Sequence, residues 1–149
     1  MEVKKILCAV DLEDTIAPSV EYAKMMASMT GASILVAYVI PAHTPYEDVY
    51  LSVNNQPNEV NNPNETIQKS MNDLLAEQFA GMDATGVILV GRPAEELVKL
   101  AEEKGANLIV MGTHGRAGFD RLLFGSVAHE VVRAAPCPVM TVRPLMPKK

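Results

Sequence analysis

This chain has no long hydrophobic run, no surplus of positive charge and almost no cysteine. None of its apolar stretches approaches the roughly 20 consecutive residues that a membrane-spanning helix needs, so no membrane partner is expected. The 13 Lys and Arg stand against 18 Asp and Glu, a net charge of −5, and the only basic tail is Lys148-Lys149. Nucleic-acid binding requires clustered basic side chains facing phosphates, so that partner is not expected either. Two cysteines, Cys8 and Cys137, make no disulfide framework, and neither stands in a metal-ligand spacing. Both read as reduced, small hydrophobic residues. After Met1 there is only a short apolar run before Asp11, which is not the pattern of a secretory signal, and a cytoplasmic location is expected. What remains is ordinary globular composition, 48% hydrophobic and 21% charged. Its 149 residues suit a single domain, 1–149, with one sizeable core.

Along the chain, short apolar runs alternate with segments of helical period. Ile6-Leu7-Cys8-Ala9-Val10 and Ser33 to Ile40 read as strands buried on both faces. Between them, Asp14 or Thr15 is expected to cap a helix that tolerates Pro18 in its first turn. That helix carries Ile16, Val20, Ala23, Ala27 and Thr30 on one face and stops at Gly31. Residues 42–63 have no period and are rich in Asn and Pro, which reads as a long loop; Tyr46, Val49, Tyr50 and Leu51 offer a means of docking part of it. Asn64 is the expected cap of a helix with Ile67, Met71, Leu74, Leu75, Gln78 and Phe79 on its inner side. A strand at 87–90 follows, then a helix opened by Pro93 with Glu95 and Glu96 in its first turn and closed by Gly105. Leu97, Leu100 and Ala101 form its inner face. A strand at 107–110, a glycine-bearing loop, a helix to about Ala134 and a last strand at 139–142 complete the chain.

The pattern βαβαβαβαβ predicts an α/β fold: one doubly wound five-stranded parallel sheet with helices on both faces, Rossmann-like. Such sheets bind ligands beyond the carboxyl ends of the strands, where the winding reverses. Of the two common strand orders, 2-1-3-4-5 places the glycine loop one strand from the crevice. The order 3-2-1-4-5 makes the first and fourth strands neighbours, so that Asp11 faces the loop, and is preferred for that reason.

The loop itself, from Met111 to Ser126, combines two devices suited to phosphate. Gly112 and Gly115 allow the backbone to turn and to approach a ligand closely, and Gly125-Ser126 is expected to open the last helix, where unpaired N–H groups and the positive end of the dipole favour an anion. It is not a Walker A loop, because no Gly-Lys-Ser/Thr follows at the required spacing. Nor is it the dinucleotide fingerprint, because the glycines at 112, 115 and 118 have the wrong spacing and follow the fourth strand.

The spacing Gly-x2-Gly-x9-Gly-Ser, met by Gly112, Gly115, Gly125 and Ser126, resembles that of the universal stress protein family. So do Lys5-Ile6-Leu7 to Asp11, Gly91 to Glu96, Ala106 to Gly112, Gly125 to Ala128 and Ala135 to Val139, which together span nearly the whole chain. The resemblance implies a 3-2-1-4-5 sheet and binding of ATP, or of AMP or ADP, in a regulatory stress-response role. It implies contacts to base and ribose from Ala9, Val10, Asp11 and the backbone of Val39. Met111, Gly112, His114 and Gly115 would meet the ribose and first phosphates, and Gly125, Ser126 and Val127 the outer ones. Where many members carry Ser two residues after the strand-end Asp, this chain has Glu13. Asp11 and Glu13 are candidates for Mg²⁺ that accompanies the nucleotide, and no residue is assigned a catalytic role. Arg116 and Arg121 either reach phosphates or lie solvated, and His43 and His129 read as surface residues. Two alternatives are a slow Mg²⁺-dependent nucleotide hydrolase and an interaction module of the same fold that binds no nucleotide. The last strand, at a sheet edge with Val139, Met140 and Val142, is expected to pair with a second copy in a homodimer.

Overall fold

The computed structural model describes residues 2–12, 17–41, 63–113 and 121–144. Strands and helices alternate as β1 (Lys5–Ala9), α1 (Pro18–Thr30), β2 (Ser33–Pro41), α2 (Pro63–Gln78), β3 (Ala84–Gly91), α3 (Pro93–Lys104), β4 (Leu108–Gly112), α4 (Arg121–Ala134) and β5 (Val139–Val142). The strands form one sheet in the order β3-β2-β1-β4-β5, and every pairing is parallel. This is the preferred order of the two. β1 occupies the centre, with Lys5 to Ala9 beside Ser33 to Ala37 on one flank and Ile6 to Cys8 beside Leu108 to Val110 on the other.

The apolar runs are continuous because both faces of each inner strand are covered. Ile6, Cys8, Ile34, Val36, Leu108 and Val110 point to one side, where α1 supplies Val20, Ala23 and Ala27, α2 supplies Met71 and Leu74, and Phe79 follows directly after α2. Leu7, Ala37, Val39, Ile109 and Met111 point to the other, against Ala94, Leu97, Leu100 and Ala101 of α3 and Ala128 and Val131 of α4. Met71 fits close to the sheet because β3 has Gly86 beneath it; a Cβ there would lie 2.6 Å from Met71 Cγ. Larger residues at 86 would force that packing apart.

Helix ends follow local chemistry, with three differences from expectation. Gly31 and Gly105 close α1 and α3 in the left-handed conformation, φ 76° and 67°, which glycine adopts without steric cost. Gly31 N donates to Ala27 O at 2.8 Å. α1, however, starts at Pro18 with Ala17 at the N-cap and no side-chain cap. Proline suits the first helical position because its fixed φ is already helical and it has no N–H to satisfy. Asp14 and Thr15, with Ile16, lie outside the described residues. Thr30 is exposed instead of inward-facing; its Oγ1 donates to Met26 O at 2.7 Å and accepts from Ala32 N at 3.2 Å. α2 likewise starts at a proline, Pro63, so Asn64 falls inside its first turn instead of capping it. Met71 and Leu74 form its buried face, with Ile67, Leu75 and Gln78 half-buried beside them, and Phe79, expected on the helix, is buried just past its end. Residues 42–62 of the Asn/Pro-rich stretch, including Tyr46, Val49, Tyr50 and Leu51, lie outside the described residues. Among the described residues, no helix is long and apolar enough to cross a membrane.

Candidate functional site

The winding reverses between β1 and β4. From β1 the chain builds outward through β2 and β3 on one side, and through β4 and β5 on the other. The carboxyl ends of β1 and β4 are adjacent, with Cys8 beside Val110, so the residues after them form the two lips of one crevice. Val10 N donates to Ala37 O at 2.9 Å, and Thr113 N donates to Val142 O at 3.0 Å. These two bonds carry ladder pairing one residue past each strand and hold both lips in place. At the far rim, Asn107 Oδ1 accepts from Lys4 N at 2.8 Å and Lys5 N at 3.0 Å, while Asn107 N donates to Lys5 O at 2.8 Å.

The sequence candidates fall into three groups. Ala9, Val10 and Asp11 line one lip and Met111 and Gly112 the other, all half-buried except Met111. Met111 is 1% exposed and its side chain belongs to the core beneath, so only its backbone is available at the crevice. Val39, 9% exposed, is likewise a core side chain. It stands on β2, two residues beyond the Ala37 that pairs with Ala9, which leaves its backbone near the same end of the sheet. Glu13, His114, Gly115 and Arg116 lie outside the described residues, as do His43 and the side chain of Arg121.

The third group corrects an expectation. Gly125-Ser126 does not open the last helix: α4 begins at Arg121, one turn earlier. Arg and Leu, which occupy 121–123, are good helix formers, and they extend the helix ahead of the glycine. In a helix that starts there, the unpaired N–H groups belong to its first turn, and those of Gly125, Ser126 and Val127 come after it. Ser126 is exposed and Val127 half-buried, packed on the core of the α3–α4 face. For the same reason Ser126 is not the cap of α4.

Two residues at the β1–β4 junction were not picked out from the sequence. Thr113 is half-buried at the tip of β4, and only its place directly after Gly112 pointed to it. Asn107, read simply as part of a strand, is the side chain that ties β1 to β4; a polar residue at the start of an apolar run was the available sign.

Other chemistry lies elsewhere. Arg92 is at the end of edge strand β3, with β2 between it and β1, and pairs with Glu95 at 3.1 Å. His129 is exposed on α4. Burial pushes the Cys8 thiol up to about 12 and raises that of Cys137, which suits both to a packing role instead of a nucleophilic one. Among the described residues, no group of three His, Cys, Asp or Glu is placed to hold a metal ion. A groove on the outside of α3 and α4, lined by Glu95, Lys99, Glu102, Glu130 and Arg133, includes none of the crevice residues.

The universal stress protein family model matches residues 2–143. A universal stress protein of Thermus aquaticus is 34% identical, over 94% of this chain and 98% of its own. Universal stress protein MJ0577 of Methanocaldococcus jannaschii is 28% identical over 94% of both chains. Its solved structure superposes with a TM-score of 0.76 at 25% identity, covering 99% of this chain and 100% of that one. The universal stress protein of Archaeoglobus fulgidus, solved in complex with dAMP, gives a TM-score of 0.57 at 25% identity, with 95% and 98% of the two chains covered. Strand order, crevice position, glycine spacing and these full-length matches agree: the chain belongs to the universal stress protein family.

Proposed function

We propose that this chain binds an adenine nucleotide, ATP or its AMP and ADP relatives, in the crevice between β1 and β4, and serves as a regulatory protein of the stress response. The observation that carries this reading is the adjacency of β1 and β4, with Asp11 on one lip and Gly112 on the other. The dAMP complex of the Archaeoglobus fulgidus relative supports the ligand class. In this reading Asp11 accepts hydrogen bonds from a ribose hydroxyl or a base N–H, beside backbone atoms of Ala9, Val10 and Val39. Met111 and Gly112 offer backbone to the ribose and first phosphate, with His114 and Gly115 beyond them, and the absence of a Cβ at 112 gives that approach room.

The outer phosphates belong to Gly125, Ser126 and Val127. Their fit is less direct: these N–H groups follow the first turn of α4, so donating to phosphate requires that turn to open. Asp11 and Glu13 are the residues that would hold Mg²⁺ accompanying the nucleotide; the ion, when bound, neutralises phosphate charge. Binding, not turnover, is the proposed activity.

The chain as a whole, 1–149, is proposed to act as one cytoplasmic domain that pairs through β5 into a homodimer. Val139 and Met140 are half-buried along that edge, and a second copy would cover them and pair the outer backbone groups. Sedimentation at micromolar concentration is expected to give a dimer, and a monomer alone would end that proposal.

For the ligand, mass spectrometry of small molecules released from protein purified without added nucleotide is expected to find an adenine nucleotide. Calorimetry with ATP and AMP then tests the site. Asp11→Ala is expected to weaken binding about tenfold or more, the scale of one hydrogen bond to a charged group. Unchanged affinity in a variant that still folds would remove Asp11 from the site.

A further inference from the structure

Three of the nine methionines fall within five residues of α1, at 25, 26 and 29. The helix turns its buried face, Ser19, Val20, Ala23 and Ala27, to the sheet. Tyr22, Met25 and Met29 recur at i, i+3 and i+7, which sets them in a row along one side of a helix, and here that side faces solvent: Tyr22 is 46%, Met25 45% and Met29 74% exposed. Met26, half-buried, packs at the edge of the core. An exposed methionine stripe fills no core volume, so its packing gives no reason for the sulfur.

We propose that Met25 and Met29 are an oxidation site on the outer face of α1, taking an oxygen atom from hydroperoxides ahead of the buried Cys8, Met71 and Met111. The chemistry needs only an accessible thioether. A sulfur lone pair attacks the terminal oxygen of the hydroperoxide, an S–O bond forms and the O–O bond breaks. The displaced oxygen takes up the proton and leaves as water or alcohol. Sulfur is oxidised by two electrons and the peroxide is reduced by two, giving methionine sulfoxide. No deprotonation is required, unlike at a thiol, whose reactive form is the thiolate. Cys8 is fully buried, so its thiol is shielded from the peroxide and reacts only when the structure opens. Met71 and Met111 are 0% and 1% exposed and react only when the structure opens.

Oxidation at 25 and 29 leaves the core untouched and converts an apolar stripe into a polar one. The product is restored by thiol-dependent sulfoxide reduction, one reductase type for each sulfoxide epimer. The site is independent of the nucleotide crevice, since α1 presents it away from the sheet.

Treatment of the folded full chain with graded hydrogen peroxide, followed by peptide mapping, tests the proposal. The expected result is one oxygen at Met29 and one at Met25, at least about tenfold faster than at Met71 or Met111, whose reaction waits on opening. The helical circular dichroism and the unfolding midpoint are expected to stay within error, and the two sulfoxide reductase types together to restore the original mass. The double variant Met25→Leu, Met29→Leu is expected to lose this first wave while keeping the midpoint. Cys8 oxidation preceding that of Met29, or equal rates at Met29 and Met71 in protein that remains folded, would overturn the proposal.

Discussion

Between β3 and α3 the chain spends one residue outside regular structure, Arg92, whereas between β4 and α4 it runs from Thr113 to Asp120. Both connections leave strands that end in glycine, and both lead to helices packed on the same face of the sheet. The short one is fixed by local sterics. Gly91 has φ 155°, a Cβ on it would lie 2.8 Å from Glu96 Cγ, and Pro93 starts the helix at the next permitted place. The long one carries part of the family's glycine spacing and leaves β4 at the crevice. Short connections of this kind hold elements in register, and long ones at the carboxyl end of a sheet are where ligands are met.

This contrast is open to test, starting where the expected effect is largest. Gly91→Val is expected to destabilise the fold by about 1–3 kcal/mol, from the backbone conformation together with the clash at Glu96. Urea unfolding measures it, and a loss under about 0.5 kcal/mol would mean that the short connection relaxes as freely as a loop. Gly125→Ala probes the long connection. With α4 starting at Arg121, residue 125 is inside a helix, and alanine there is expected to stabilise the free protein by about 0.5–1 kcal/mol. The same substitution is expected to weaken ATP binding, because it favours the helical turn that phosphate contact must open. A destabilised free protein would instead restore Gly125 to the helix start. Smallest is Arg92→Ala: its ion pair with Glu95 is more than half exposed at both partners, so the change is expected to stay within about 0.5 kcal/mol. A larger loss would show that Arg92 does more in the short connection than its contact with Glu95.

The same two connections show what was legible beforehand. Pro93 and Gly105 bracket α3 unambiguously, since one residue has no N–H to give and the other alone adopts the left-handed turn at no steric cost. The parallel sheet was legible because Ile6 to Val10 and Ser33 to Ile40 are apolar without alternation, which only two covered faces explain. Strand order followed from asking which arrangement puts Asp11 opposite the glycine loop. The start of α4 was not legible: glycine at 125 reads equally as a helix opening and as a tolerated interior residue, and the preceding Arg-Leu-Leu settled it through helix propensity. Ala17 at the head of α1 was hidden for a related reason, because Asp14 and Thr15 are better caps by type than the alanine that Pro18 selects by position. That Val39 and Met111 have backbone alone to offer at the crevice depends on their burial in the packed fold, which no local signal reports.

The tie that Asn107 makes between β1 and β4 also has a consequence for the order in which the protein is made. Its partners Lys4 and Lys5 are 103 and 102 residues away along the chain. The first strand pairs with β2 early, but its other edge waits until some three quarters of the sequence has emerged. Closing so long a loop is entropically unfavourable and places these contacts late in folding. The crevice between β1 and β4 is therefore among the last features to be completed, and a nascent or truncated chain that stops before β4 lacks the place where nucleotide binding is proposed.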